Sequence, residues 1–263
     1  TPSIIRKLVD QGASAIILAT GSGSALQAKQ ASQATEAITI APTALTDSVA
    51  NPPGNEFAYM VPNPLAEYAD VYCSAFEKTG KKRLGILADA SPAISGILNT
   101  LDPKLQECID VVGVQKAAVD SADLTAGVSR LLESRPDVVL VASVGGNFEI
   151  MAQNTLYRLA PDVQRYSLAS IGNQPESWTL AAPGALDGLV YMGSLSDENP
   201  RTRELETWLR TVKGPAYSLT AYDAQAYDSV MVLKRAIEIA GTHTDSDKLY
   251  EAMLQVRDLP ASF

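Results

Sequence analysis

Short apolar runs alternate with longer segments in which apolar positions recur every three or four residues, and this rhythm persists through most of the chain. The opening "PSIIRKLVDQG" puts Ile4, Ile5, Leu8 and Val9 on one side of a helix. "ASAIILA" follows, a continuous apolar run of strand length with β-branched residues, then "TGSGS" and the helix-like "SALQAKQASQATE". A second strand, "AITIA" from Ala37 to Ala41, leads into "PTALTDS", whose Pro, Thr and Asp are loop chemistry. "NPPGNE" then marks a turn before a third strand, "FAYMV". Strands apolar on both faces are strands covered on both faces.

The rhythm continues. "NPLAEYADVYCSAFEKTG" predicts a helix with Asn63 as N-cap, Pro64 at its first position and Gly80 as its stop. "RLGILA" is a strand and "ISGILNTLDPKLQECI" a helix that Pro103 should interrupt or kink. "DVVGVQKAAV" and "PDVVLVAS" are strands flanking the helix "SADLTAGVSRLLESR", capped by Ser121 or Asp123. "GGNFEIMAQNTLYRLA" is loop and helix, and "QRYSLASIG" and "LDGLVYMGSL" are two further strands. Alternation of this kind builds βαβ units, so the expected fold class is α/β with doubly wound parallel sheets. The last part changes character: "NPRTRELETWLRTVKG", "SLTAYDAQAYDSVMVLKRAIEIAG" and "SDKLYEAMLQV", with Ser246 as N-cap, are helices without strands of their own. They must cover sheets built earlier.

Composition narrows the partners. With 263 residues, 46% of them apolar, the chain can bury a sizeable core. A formal net charge of −9 and a pI near 4.7 argue against nucleic acid and anionic membrane surfaces, both of which need clustered Lys and Arg. "KTGKKR", the most basic stretch, falls between a helix and a strand and reads as a solvated connection. No apolar run approaches the roughly 20 residues that span a bilayer, so no membrane insertion is expected. The chain opens on an amphipathic helix rather than a signal sequence. Cys73 and Cys108 form one disulfide or remain two buried thiols.

In parallel sheets ligands bind beyond the carboxyl ends of strands, and here those ends read "TGSGS", "APTALT", "ADASP", "ASVGGN" and "ASIGNQ". All are small, hydroxyl-bearing or amide-bearing, which makes Asp89, Ser91, Val144 and Gly145 candidate ligand contacts. The first loop fails as a dinucleotide fingerprint: Leu26 stands where a third glycine belongs, and the next strand ends on Ala41 without an acidic residue. No Lys-Ser or Lys-Thr pair makes it a Walker loop. It is a binding loop offering amides and hydroxyls at a helix N-terminus, or a structural turn. His243, the single histidine, sits in the polar connection "GTHTDSD", and one His with two dispersed Cys makes no zinc site. No metal or cofactor is expected. Asp197 with Glu198 and Asp245 with Asp247 lie at helix starts, where capping accounts for them. A carboxylate-dependent α/β enzyme would need Asp89 or Glu149 in a cleft with a shifted pKa; otherwise they are a strand-end cap and a first-turn helix carboxylate.

With polar strand ends and no catalytic constellation, the sequence resembles the type I periplasmic binding proteins, in particular the branched-chain amino acid (Leu/Ile/Val)-binding group of ABC-transporter receptors. The resemblance runs through "IIRKLVDQGASAIILATGSGSA", "AITIAPTALTDSV", "FAYMVPNP", "KTGKKRLGILAD", "RPDVVLVASVGG", "GALDGLVYMGSLSDENP" and above all "SLTAYDAQAYDSVMVLKRAIEIAGT". It implies two α/β lobes joined by crossing strands, a small-molecule ligand held in the cleft between them, hinge closure, an ABC permease as partner, a monomeric state and a periplasmic or extracytoplasmic location. On that pattern residues 1–61 are part of the first lobe, 62–196 the second, and 197–263 the return to the first. Family members carry further strands before and after the matching segments, which implies that the first lobe is incomplete at both chain ends.

The family's first ligand loop falls on Thr20, Gly21, Ser22, Gly23 and Ser24, with Ser22 where a serine contacts a ligand carboxylate. The second falls on Ala41 to Thr46: a threonine usual there is Leu45, flanked by Ala44, with Thr43 and Thr46 nearby. In the other lobe an aromatic residue after the first strand corresponds to about Ala93. The acidic partner of an amino acid's ammonium becomes Ile171 in "ASIGNQ", with Asn173 and Tyr191 as secondary candidates. A buried ammonium without its counter-charge is costly, so Ile171 on the cleft wall would favour a carboxylate-bearing or neutral ligand over a free amino acid. The alternative is that Ile171 is core and the register is off by one or two; Tyr191 likewise is a ligand contact or is packed between helix and sheet.

Overall fold

The computed structural model describes residues 1–143, 145–168 and 170–262, without the side chains of 66, 170, 173, 175 and 176. It divides into two compact units: unit 1 comprises Thr1–Pro64 with the segment from Ser194 onward, and unit 2 comprises Leu65–Gly193.

Unit 1 opens with α1 (Pro2–Asp10), β1 (Ala15–Ile17), α2 (Ser22–Thr35), β2 (Ile38–Ala41) and β3 (Ala58–Met60). The strands form a parallel sheet in the order β1-β2-β3. Side chains alternate across a strand, so β2 serves two cores. Ile38 and Ile40 pack with the later helices through Ala236, Leu249, Ala252 and Met253. Ala41 faces the other cluster, with Ile5, Leu18, Ala25 and Ala28. The small side chains along α2 let that helix lie close to the sheet.

Unit 2 runs α3 (Ala69–Lys78), β4 (Arg83–Asp89), α4 (Pro92–Leu105), β5 (Asp110–Ala117), α5 (Thr125–Glu133), β6 (Val138–Ala142), α6 (Gly146–Leu159), β7 (Gln164–Ser167), α7 (Ser170–Asn173) and β8 (Val190–Tyr191). All its strands are parallel, in the order β5-β4-β6-β7-β8. Leu87, Val139 and Val141 pack one face against Val128 and Leu131 of α5 and Phe148, Ala152 and Leu156 of α6. Tyr72 and Phe76 of α3 form an aromatic cluster with Tyr166 of β7. The remaining helices, α8 (Pro200–Lys213), α9 (Ala221–Ala240) and α10 (Ser246–Met253), belong to unit 1.

Several local expectations are corrected. The helix expected to start at Pro64 begins as a 3₁₀ turn over Leu65–Tyr68, and α3 proper starts at Ala69. Pro103 does not break α4, which ends at Leu105: the proline sits in the last turn, and buried Leu98, Leu101 and Leu105 carry the helix past it. α5 has Leu124 at its N-cap, while Asp123 instead accepts from the Thr125 N–H at 2.8 Å. α10 is capped by Asp245, which accepts from Lys248 N at 3.1 Å, one residue before the expected Ser246. The strand read through "QRYSLASIG" stops at Ser167 and gives way to the one-turn α7, and the strand read in "LDGLVYMGSL" shrinks to Val190–Tyr191. Cys73 and Cys108 form a disulfide with a Cα–Cα distance of 5.7 Å across 35 residues.

Candidate functional site

In unit 1 the first two strand ends lie side by side because β1 and β2 pair in parallel register. The loop after β1 turns into α2 at Gly21, the N-cap, and the first helical bond runs from Ala25 N to Gly21 O. The amides of Ser22, Gly23 and Ser24 therefore have no partner within the helix, and the helix dipole adds positive potential there. Ser22 is buried, and its Oγ accepts from Leu45 N at 3.0 Å. Thr43 Oγ1 donates to Thr20 O at 2.9 Å. Two cross-loop bonds thus bind the first candidate loop to the second. Since the Ser22 oxygen is already accepting, its O–H is left to donate. Gly21 and Gly23 are exposed with open space where a Cβ would sit, so packing does not demand either glycine. Ala41, Ala44 and Thr46 are buried, and Leu45 is half-buried. Beneath them Lys29 of α2 donates to the carbonyls of Ser48 and Asn51, which anchors the far side of the second loop. Burial pulls its ammonium pKa down, and Glu56 opposes that shift.

In unit 2 the sheet order reverses at β4, which lies between β5 and β6, so the ends of β4 and β6 flank the switch point where parallel sheets hold ligands. Asp89 closes β4, fully buried, and its Oδ1 accepts from Ser91 N at 2.9 Å. Ser91 then caps α4, accepting from Ile94 N at 3.2 Å. After β6, Ser143 Oγ donates to Gly145 O and accepts from Gly145 N, which fixes the turn into α6. Val144 lies outside the described residues.

A residue the sequence reading passed over, Gln174, reaches this turn: its Oε1 accepts from Gly146 N at 2.9 Å. The approach is close, for a Cβ on Gly146 would lie 2.7 Å from Ser177 Cβ. Only the amide-bearing end of "ASIGNQ" hinted at it. Ile171 is 1% exposed, the core position left open as the alternative, and its carbonyl accepts from Trp178 Nε1 at 2.8 Å. The Asn173 side chain lies outside the described residues. Tyr191 is 44% exposed, with its ring laid on Gly172, where a Cβ would meet Cε2 at 2.5 Å. Unit 2 therefore gathers Gly145, Gly146 and Gln174 at one strand end, and α7 with Tyr191 at another. Beside the first lies a cavity of about 520 Å³ lined by Ser121, Asn147, Phe148, Met151 and Gln174 among others.

Asp89 and Glu149, the carboxylates of an enzymatic reading, are both buried rather than exposed. Glu149 accepts from Gln153 Nε2 at 2.8 Å. Tyr72 donates to the carbonyls of Ser167 and Leu168 at 3.1 and 2.9 Å, and burial, then Glu149, Tyr68 and Tyr166, push its phenol well above the usual range. Among the described residues no group of His, Cys, Asp and Glu could hold a metal ion, and no helix is long and apolar enough to cross a membrane.

Parallel α/β units with polar loops gathered at their strand ends define a protein of the type I periplasmic binding fold. A family model described as periplasmic binding protein matches residues 2–262, so the chain belongs to that family. No curated protein matches. Among solved structures, an extracellular ligand-binding receptor from Rhodopseudomonas palustris is similar with a TM-score of 0.84 and 19% identity, over 99% of this chain and 76% of that one. A leucine-binding protein, LivK, from Thermotoga maritima gives 0.84 and 19%, over 99% and 74%. LivJ from Streptococcus pneumoniae, a branched-chain amino acid transporter substrate-binding protein in complex with isoleucine, gives 0.84 and 17%, over 99% and 74%. At these identities the likeness is one of fold.

Proposed function

We propose that the chain is an extracytoplasmic solute-binding receptor for an ABC importer, without catalytic activity, that captures a small carboxylate-bearing or amino-acid-like ligand at its strand-end loops. One observation carries the reading: Ser22 and the first-turn amides of α2 are fixed against the second loop by the Leu45–Ser22 and Thr43–Thr20 bonds. Donors held at a helix N-terminus, with no carboxylate among these loop residues, suit an anionic or polar group. In unit 2 the residue proposed to meet a ligand is Tyr191, whose ring is exposed, whereas Ile171 is core. A disulfide accords with an oxidising compartment. The acidic net charge suits a carrier that does not adhere to phosphate headgroups.

A thermal-shift panel of amino acids, their desamino acids, aromatic acids and the matching amides tests the reading, because a ligand that binds only the folded state raises the melting temperature. At 100 times its Kd such a ligand adds about 2.7 kcal/mol. A shift with an acid and none with the matching amide supports the anionic-end reading; a panel with no shift at millimolar concentration contradicts it.

A further inference from the structure

The Cys73–Cys108 disulfide is not sealed in the core. Both cysteines line an open cavity of about 470 Å³ in unit 2, with Asp70 and Glu77 of α3 and with Lys81 and Lys82 beyond it. Cys108 is exposed and Cys73 half-buried. The charged walls, two carboxylates and two ammonium groups, keep this cavity wet and leave it without net charge against an arriving thiolate. An exposed disulfide in such surroundings belongs with the labile ones rather than the inert ones.

The bridge is also placed to be felt elsewhere. It ties the middle of α3 to the turn after α4, and the residue before Cys73 is Tyr72. Its hydroxyl donates to the Ser167 and Leu168 carbonyls at the end of β7, and its ring lies 6.1 Å from that of Phe76 and 6.2 Å from that of Tyr166. The segment so held leads directly into α7 and Gln174. One turn of α3 thus carries both the covalent staple and the hydrogen bonds that fix this strand end.

We propose that the Cys73–Cys108 bridge is a reversible thiol–disulfide exchange site for a dithiol reductant, and that opening it loosens the β7 end through Tyr72. A thiolate of the dithiol attacks the Sγ of Cys108, the more exposed of the two residues. The S–S bond breaks, its electron pair leaves on Cys73 Sγ, and that sulfur takes a proton from solvent. The second thiol of the reductant, having lost its proton to solvent, attacks the reductant's own sulfur in the mixed disulfide and releases Cys108, which is protonated in turn. Two electrons pass to the protein and the dithiol ends as a disulfide. The exchange does not depend on the receptor reading; its consequence for ligand capture does.

The test uses the full chain in native buffer. Dithiothreitol followed by a maleimide should alkylate both cysteines within minutes while far-UV circular dichroism stays unchanged. Glutathione should trap a mixed disulfide on Cys108. Hydrogen exchange at Leu168 and residues 171–174 should then quicken about tenfold in the reduced protein. Tyr72→Phe should reproduce that increase without altering the rate of reduction, since it keeps the ring and removes only the donor. Alkylation only after denaturant is added, loss of dichroism in step with alkylation, or no glutathione adduct on either cysteine overturns the exchange site. Unchanged exchange at the β7 end, in the reduced protein or in Tyr72→Phe, overturns the coupling. Both readouts are independent of ligand, so a failed ligand panel leaves them intact.

Discussion

The strand-end loops of the two units are held by different means. In unit 1 a hydroxyl and a backbone amide cross from one loop to the next, Thr43 to Thr20 and Leu45 to Ser22, and the first-turn amides of α2 stay outside those bonds. In unit 2 the ends of β4 and β6 are tied within their own turns, Asp89 to Ser91 and Ser143 to Gly145, while Gln174 occupies the Gly146 amide at the start of α6 and Tyr72 of α3 holds the end of β7. The difference teaches a division of labour. Loops that brace each other can present free donors without collapsing, whereas loops that satisfy themselves present shape. The first arrangement suits holding a charged or polar group, the second a fixed surface shape.

The contrast can be broken unit by unit, because Trp178 lies in unit 2 and Trp208 in unit 1, the only two tryptophans of the chain. Single Trp→Phe backgrounds therefore report on each unit separately. The largest effect is expected from the disulfide: closing 35 residues is worth about 4 kcal/mol on the chain-entropy model, so Cys73→Ser with Cys108→Ser should lower the urea stability reported by Trp178 by roughly that much and leave the Trp208 report unchanged. Next comes Gly146→Ala. Its Cβ would press on Ser177 Cβ at 2.7 Å, close to the backbone, and overpacking of this kind costs about 1–3 kcal/mol. Gly172→Ala should cost less although the nominal distance is 2.5 Å, because the Tyr191 ring it meets is 44% exposed and can swing away. Equal losses would show that the ring is pinned. Ser22→Ala should destabilise unit 1 by about 1 kcal/mol, the worth of one hydrogen bond, visible to Trp208 and not to Trp178.

The smallest effect is a pH dependence in unit 1. Burial raises the Asp228 carboxyl above its ordinary value of 3.8, against the Ser262 N–H and hydroxyl that donate to it. For a raised carboxylate the protonated form favours the folded state. That contribution is present below pH 3.8 and is lost as pH rises through the raised value. The Trp208-reported stability should therefore fall over that window more in the wild type than in Asp228→Asn, and parallel pH profiles would contradict this.

How much of this was legible beforehand follows from what periodicity encodes. Ile38 and Ile40 announce a strand covered on both sides, and the alternation of such runs with helical segments gives the parallel sheets directly. Short apolar runs do not say whether they are strand or helix, which is why "QRYSLASIG" read as one strand although Ile171 belongs to a different element, α7. Pro103 misled because its cost depends on where in the helix it falls and on the leucines that hold the last turn. Ser22 and Thr43 could be placed at adjacent strand ends, yet their cross-loop bonds depend on loop paths that no spacing specifies. Gln174 was invisible as a partner of Gly146, since the pairing spans 28 residues and is made by a side chain common on any surface. The disulfide was one of two open outcomes until the Cα atoms could be placed 5.7 Å apart.

The central claim is that the Ser22 loop receives the polar end of a ligand. Isothermal titration of the best acid from the thermal-shift panel into wild type and Ser22→Ala tests it most directly. A hydrogen bond to a charged group is worth about 1.5–3 kcal/mol, so the account predicts a Kd at least about tenfold weaker in the variant, with Trp178-reported stability unchanged. An unchanged Kd would contradict it.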